Sequence, residues 1–304
     1  PVENQPCLAK VRLTALLAEG LGIGRGSPGQ GGPLQSWVWR QLHVELPDDW
    51  ELLQFTRNPA TGRCAFADRY QFRFELSWRE VPGAPDFDRM ISDYQARLDE
   101  DGLQETRRLQ CAGWPGVCGV LPDRRTTCRY GAYFPDLRCL VEAVFLWPKA
   151  RHEPLEKDVL ASLRPEPATA AGQVRWQAFG MDLRTRRGGL FEHCTADPGF
   201  AQFNFSSARR RIWERFSRRG LVPQWLTESV SQWQRRTVPR GFRVVWERDQ
   251  DRHGHTVSVV RSERAVLRFA DLWFGRREFQ AAAWCCPRDG RLYQLSREAP
   301  RAGT

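Results

Sequence analysis

The stretch Arg209-Arg210-Arg211-Ile212-Trp213-Glu214-Arg215-Phe216-Ser217-Arg218-Arg219 sets arginines among aromatic residues, and Arg235-Arg236 follow it. A guanidinium is a permanent cation with a planar fork of donors, so such a run suits phosphate or carboxylate contacts. Trp213 and Phe216 add flat surfaces on which a base or a guanidinium can stack. Three readings are open for these arginines: phosphates of a nucleic acid, ion pairs with an acidic protein surface, or a solvated charged face.

Other chemistry is sparse. The five histidines are His43, His152, His193, His253 and His255. His253-Gly254-His255, with Asp249 or Asp251, has a spacing that can place metal donors on one side of a turn, and is read here as an exposed hairpin turn. Asp48, Asp49, Glu51 and Asp68 could pair as acid and base, and are read as a solvated turn. The nine cysteines are scattered without a C-x-x-C, which argues against a disulfide scaffold or a zinc ribbon and for buried thiols; Cys111, Cys118 and Cys128 are a group with metal-ligand potential. Gly20, Gly22, Gly24 and Gly26 lack the preceding strand and the GK[ST] of a phosphate loop. No nucleophile elbow, H-E-x-x-H or S-x-x-K pattern occurs. No catalytic residue, cofactor or metal is expected.

Charge divides the chain. Residues 1–172 hold 21 Lys+Arg against 23 Asp+Glu, leaving 25 and 13 of the totals of 46 and 36 for residues 173–304. Lysine occurs only at positions 10, 149 and 157, an arginine skew that a GC-rich genome also produces. Such a genome would not confine the excess to one half, so the second half is expected to meet an acidic partner. No apolar run is long enough to span a membrane. A cytoplasmic location is the default expectation, and the start at Pro1 leaves room for an upstream segment.

The positioning elements repeat. Trp39, Leu46, Gly62 and Phe66 recur 137 residues later as Trp176, Leu183, Gly199 and Phe203. Arg138, Ala143 and Pro148 recur 139 later as Arg277, Ala282 and Pro287, which reads as a tandem duplication. The expected division is a Gly/Pro-rich lead (1–33), a first repeat (34–165), a linker (166–173) and a basic second repeat (174–304). Period-two alternation marks strands, as at Tyr70, Phe72, Phe74, Leu76 and Trp78. The 3.6 spacing of Phe87, Met90, Ile91, Tyr94 and Leu98 marks a helix over 86–98 with Asp86 as its cap. A Gly-rich turn is expected over 113–119, a closing helix over 154–163, and a second-copy helix over 223–235. Strands are expected over 242–248, 256–261, 265–273 and 278–285, and Leu292-Tyr293-Gln294-Leu295 is left as an uncertain counterpart of the closing helix. Several tryptophans (Trp37, Trp39, Trp176) alternate with polar residues, which allows some side chains at the surface, while core filling is the use expected for most of them.

Leu46-Pro47 with Trp50 ahead of the first hairpin, and the 86–98 helix straight after the strand ending in Trp78-Arg79, give an order that resembles the PsbP-like fold. That fold is shared by an extrinsic subunit of photosystem II, a Ran-binding nuclear transport factor and bacterial proteins of unassigned role. The resemblance implies an α+β protein of two tandem homologous domains, each an antiparallel sheet flanked by helices in an α/β/α sandwich. It implies no shared catalytic residue and points to a non-enzymatic binding or assembly role. The expected function is protein interaction, with a nucleic-acid-binding module or a hydrolase with an inter-domain site as alternatives. The candidate binding residues are Arg209, Arg210, Arg211, Trp213, Arg215, Arg218, Arg219, Arg235 and Arg236.

Overall fold

The computed structural model describes residues 9–11, 34–56, 61–68, 71–100, 102–186, 188–197, 199–207, 209, 211–264 and 277–301. The chain divides into two compact units, residues 22–168 and residues 169–304 with 1–21. The first is called the first module below and the second the second module. Within the expected 1–33 lead, only strand β1 (Ala9–Val11) lies among the described residues, running parallel to a strand of the second module.

The first module opens with a hairpin of β2 (Leu34–Trp39) and β3 (Leu42–Pro47). Its two-residue turn, Arg40-Gln41, has φ of 51° and 65°. Both angles lie in the left-handed region, which matches the twist of the flanking strands. A sheet follows, built from β4 (Glu51–Phe55), β5 (Thr61–Ala67), β6 (Phe72–Glu80), β7 (Gln104–Cys111), β8 (Trp114–Val120), β9 (Thr126–Phe134) and β10 (Cys139–Trp147), with helix α1 (Phe87–Glu100) between β6 and β7. The seven strands are antiparallel, in the order β4-β5-β6-β10-β9-β8-β7. Two three-strand meanders are thus joined by β10. Helix α2 (Glu153–Ser162) and the short β11 (Arg164–Pro165), paired to β3, complete the module.

Alternation explains what each face carries. Phe66 of β5 faces Phe74 of β6, which faces Phe145 of β10. These rings sit 5.9 and 4.9 Å apart, and Trp37 of the hairpin meets Phe66 edge-on at 5.3 Å. Each fully buried ring is worth roughly 2–3 kcal/mol of apolar transfer. Trp37 and Trp39 are therefore core residues, 8% and 1% exposed, the use expected for most of the tryptophans, although their alternation also allowed exposure. Strands β2 and β3 are covered on both faces, so polar neighbours do not mark an exposed side. On the opposite face α1 packs through Ile91 and Tyr94 against Val117, with Met90 and Leu98 at the margin. Asp86 Oδ1 accepts from the backbone of Arg89 at 3.0 Å and caps that helix.

The second module has a hairpin of β12 (Val174–Ala178) and β13 (Met181–Thr185), the latter being the strand that β1 joins. Its turn, Phe179-Gly180, again has positive φ at both residues. The sheet comprises β14 (Gly189–Asp197), β15 (Phe200–Ser207), β16 (Trp213–Arg219), β17 (Phe242–Arg252), β18 (His255–Arg264), β19 (Arg277–Cys286) and β20 (Arg291–Pro300). Its order is β14-β15-β16-β20-β19-β18-β17, position for position that of the first sheet. Trp176 is buried at 5%, stacked on Phe191 at 5.1 Å and tilted against Phe205 at 5.2 Å.

The α/β/α sandwich is not what forms. Strands dominate, and the described α-helices are only four: α1 with 14 residues, α2 with 10, α3 (Val222–Trp225) with 4 and α4 (Val230–Arg236) with 7. The expected 113–119 turn is strand β8, and β7 precedes it unforeseen. The glycines there serve packing: a Cβ at Gly116 would lie 2.6 Å from the Tyr130 ring. The expected 223–235 helix breaks after Trp225 and restarts at Ser229, whose side chain and Gln232 form a reciprocal capping box. Residues 292–295 belong to the strand β20, so α2 has no helical counterpart among the described residues of the second module. The expected strand at 265–273 lies outside the described residues. The 139-residue pairing also changes meaning. Ala143 sits on β10, whereas Ala282 sits on β19, the equivalent of β9 by sheet position. The 137-residue match of Phe66 with Phe203 does fall on equivalent strands, and each faces a phenylalanine, Phe74 or Phe216, on the next strand.

Candidate functional site

Strand β16 carries the arginine run, and a strand sends successive side chains to opposite faces. Glu214, Phe216 and Arg218 point one way; Trp213, Arg215, Ser217 and Arg219 point the other. From Trp213 to Arg219 the strand also covers about 20 Å. The run therefore does not make one patch.

The exposed chemistry concentrates where β16 ends. The Arg219 guanidinium lies over the Phe200 ring, 4.6 Å from its centroid, in cation–π geometry. Gly220 N–H donates to the Gly199 carbonyl at 2.6 Å, which fixes this strand end beside β15. Leu221 then takes φ 53° and ψ 32°, a left-handed conformation costly for a branched side chain, and is 63% exposed. Trp225 is 37% exposed, donates its Nε1–H to the Gly220 carbonyl at 2.9 Å and packs on Trp233 with centroids 6.1 Å apart. Phe200, Arg219, Leu221 and Trp225 thus form a patch in which Arg219 and Trp225 are of the residue types where interfaces concentrate their energy. Sequence reasoning missed Leu221, and it assigned Trp225 to the side of a continuous helix. The Val222-Pro223 pair after Gly220-Leu221 is the signal, because proline favours the first helical turn and leaves the preceding residues outside it.

The other expected residues disperse. Arg209 and Arg211 are exposed at the far end of β16, and Arg210 lies outside the described residues. Trp213 is 39% exposed, and Arg215 donates to Asn204 Oδ1 at 3.2 Å on the same face. Arg235 sits 3.5 Å from Glu247, and Arg236 pairs with Glu228, so both have local counter-charges on α4 and its surroundings. Among the described residues Arg209, Arg211, Arg215, Arg218 and Arg219 form no ion pair. Burial holds the Arg219 guanidinium below the usual arginine range. Burial, and then the neighbouring Arg291, do the same to Arg218.

The other candidate groups named from the sequence are internally held or dispersed. Asp68, one of the proposed acid–base carboxylates, is held by Arg73 at 2.6 Å and by the Gln71 amide at 2.8 Å, while Asp48 and Asp49 are exposed in the turn after β3. His255 Nδ1 meets the His253 carbonyl at 3.0 Å, and no group of three metal-donor side chains exists among the described residues. Cys118 and Cys128 face each other across β8 and β9 with their sulfurs 3.3 Å apart, both buried. In the first module Glu156 is fully buried and accepts from the Tyr130 hydroxyl, from Trp147 Nε1 at 2.6 Å and from Arg151 Nε at 2.6 Å. Burial, reinforced by Glu156, drives the Tyr130 hydroxyl well above its ordinary range. Sealed and fully paired, this network anchors α2 to the sheet.

No family model matches the chain, and no curated protein matches it. The similar solved structures include the immunity protein TplEi of the T6SS from Pseudomonas aeruginosa, free (TM-score 0.37, 7% identity, 89% of each chain covered) and complexed with "L" peptide (TM-score 0.34, 7% identity, 89% of this chain and 88% of that one). A structure from Bacteroides thetaiotaomicron VPI-5482 is similar at TM-score 0.30 and 10% identity, over 45% of this chain and 50% of that one. At these values the likeness carries no argument about fold or role.

Proposed function

We propose that this chain is a non-catalytic protein-binding protein whose basic second module docks an acidic protein surface through Phe200, Arg219, Leu221 and Trp225. The observation carrying this reading is the conjunction at the end of β16. An arginine without a carboxylate partner lies beside an exposed leucine held in a strained backbone conformation and a half-exposed tryptophan. Strain of this kind persists where surroundings impose it, and such sites cluster where ligands are clamped. Charge complementarity names the occupant, since the excess of arginine falls in residues 173–304. The buried Glu156 network supports a scaffold role for the most perturbed titratable groups, because no substrate reaches a carboxylate with no exposed surface.

The test is fluorescence anisotropy with a labelled Glu/Leu-rich peptide and, separately, labelled duplex DNA and RNA. The peptide should bind the wild-type chain and lose at least about tenfold in affinity in Trp225→Ala and Arg219→Ala, the size of loss expected at an interface hot spot. Equal binding by the variants would remove the reading. Nucleic-acid binding that falls steeply between about 50 and 200 mM salt would favour the phosphate-binding alternative instead.

A further inference from the structure

We infer that Arg218 and Arg291, converging on the hairpin turn at Gly180, form a binding site for a single oxyanion, a phosphate or carboxylate group. This site lies on the face of β16 opposite the Arg219 patch, and it stands or falls independently of the docking surface.

The geometry comes from register. Arg218 of β16 faces Tyr293 of β20, and Arg291 lies two residues before Tyr293, so both arginines share one face of the sheet. The β12–β13 turn meets them there. A Cβ at Gly180 would overlap Arg218 Nη1 and would stand 3.4 Å from Arg291 Nη1. Two guanidinium groups thus reach one point, in a space that only a glycine leaves open, at a residue whose φ of +68° also suits glycine.

No ion pair neutralises them: neither Arg218 nor Arg291 forms one among the described residues, and Arg218 Nε is buried without an acceptor. Asp289, whose charge acts on Arg218 without pairing with it, is already engaged: it accepts from the Tyr293 hydroxyl at 2.6 Å and from the Arg291 backbone N–H at 3.0 Å. Two like charges brought together away from bulk water repel, and burial with Arg291 lowers the Arg218 proton affinity accordingly. An oxyanion reverses the sign of that interaction and matches the planar donor forks. Trp284 stacks on Tyr293 at 5.5 Å, and a separate small cavity beside them, lined by Met181, Leu183, Phe216 and Trp284, is about 20 Å³, enough for one water.

The experiment is thermal unfolding of the full chain in sodium phosphate or sodium glutarate, each against sodium chloride at matched ionic strength. Phosphate should give a saturable rise in Tm, about 5 °C at a hundredfold excess over Kd. The rise should vanish in Arg218→Gln and in Arg291→Gln and persist in Arg235→Gln, whose side chain is exposed and already paired. An equal response to glutarate assigns the site to carboxylate groups as well, and a response to phosphate alone assigns it to phosphate groups. The inference is overturned by a rise no larger than that in chloride, or by an undiminished rise in Arg291→Gln, which reads the same site if Arg218→Gln does not fold.

Discussion

The Tyr130 hydroxyl donates to the Glu156 carboxylate, tying the middle of β9 to α2 inside the first module. The same carboxylate neutralises Arg151, whose side chain is 14% exposed. Glu156→Gln keeps the shape and removes the charge, leaving a largely buried guanidinium with only the exposed Glu153, 3.4 Å away, as counter-charge. A loss of about 3 kcal/mol is expected, with about 1–2 kcal/mol for Tyr130→Phe, which removes the hydrogen bond to the charged acceptor and the one the hydroxyl accepts from Arg151 Nη2 at 3.0 Å. Urea unfolding of the full chain measures both. A Glu156→Gln variant as stable as wild type would show the network to be dispensable.

His43 gives the same module a pH dependence. Its ring is 2% exposed and its Nδ1 lies 3.2 Å from the Ser162 carbonyl, linking β3 to the end of α2. Burial lowers its pKa below 6.5; the Ser162 carbonyl, Glu166 and Glu45 oppose that shift, and Arg164 adds to it. The unfolded chain therefore binds the proton more readily than the folded one. The stability contributed by the neutral ring is complete above about pH 6.5 and is lost as pH falls through the depressed folded value. Tm should fall more steeply between pH 7 and pH 5 in wild type than in His43→Gln. Parallel curves would contradict it.

Two glycines of the first sheet separate strain from tolerance. A Cβ at Gly116 would lie 2.5 Å from the Arg129 carbonyl oxygen and 2.6 Å from the Tyr130 ring, neither of which can move without disturbing β9. Gly116→Ala is expected to cost about 3 kcal/mol. A Cβ at Gly131 meets only the Met90 methyl at 2.6 Å and the Phe87 ring edge at 3.3 Å. Methionine can turn aside, so Gly131→Ala should cost less than about 1 kcal/mol, the reduced freedom of the unfolded chain offsetting part of the crowding. Chemical denaturation ranks the pair, and a reversed order would mean that β8 shifts to absorb the methyl.

Leu221 separates stability from binding. Glycine adopts φ 53° without the penalty carried by leucine, so Leu221→Gly should hold or raise Tm, the relief of about 1 kcal/mol being partly returned as backbone entropy. The same change removes an exposed side chain from the patch and should weaken the acidic peptide. A variant that loses stability but binds unchanged would place Leu221 in the scaffold instead.

The sequence exposed some levels of this structure and hid others. Period-two alternation located most of β6, β9 and β10, and the helical stripe located α1, because each buries one clean face. Strand β8 was hidden because Gly113, Gly116 and Gly119 read as a turn; only the ring of Tyr130 on the neighbouring strand explains why a glycine stands there. Strand β20 was hidden because Leu292-Tyr293-Gln294-Leu295 is too short a pattern to distinguish a strand from a counterpart of the closing helix. The spacing of 139 placed Ala282 opposite Ala143 by chance of composition, while β17 and β18, of 11 and 10 residues, outgrew β7 and β8, of 8 and 7. At the candidate site, Arg219 was legible as a cation. Its separation from Arg218 onto another face follows from strand geometry that a contiguous basic run conceals.

The placement of β20 has a consequence for assembly. Until residues 291–300 insert, β16 and β19 are bare margins of two small meanders, each displaying unpaired amides and carbonyls. Bringing a late segment between two earlier ones is a long-range closure, which slows folding and lengthens the exposure of those margins. A chain cut before Arg291 should therefore yield self-associating half-sheets rather than a smaller stable module. In that sense the last strand works as a keystone, and the first sheet, closed by β10 in the same way, has the same dependence.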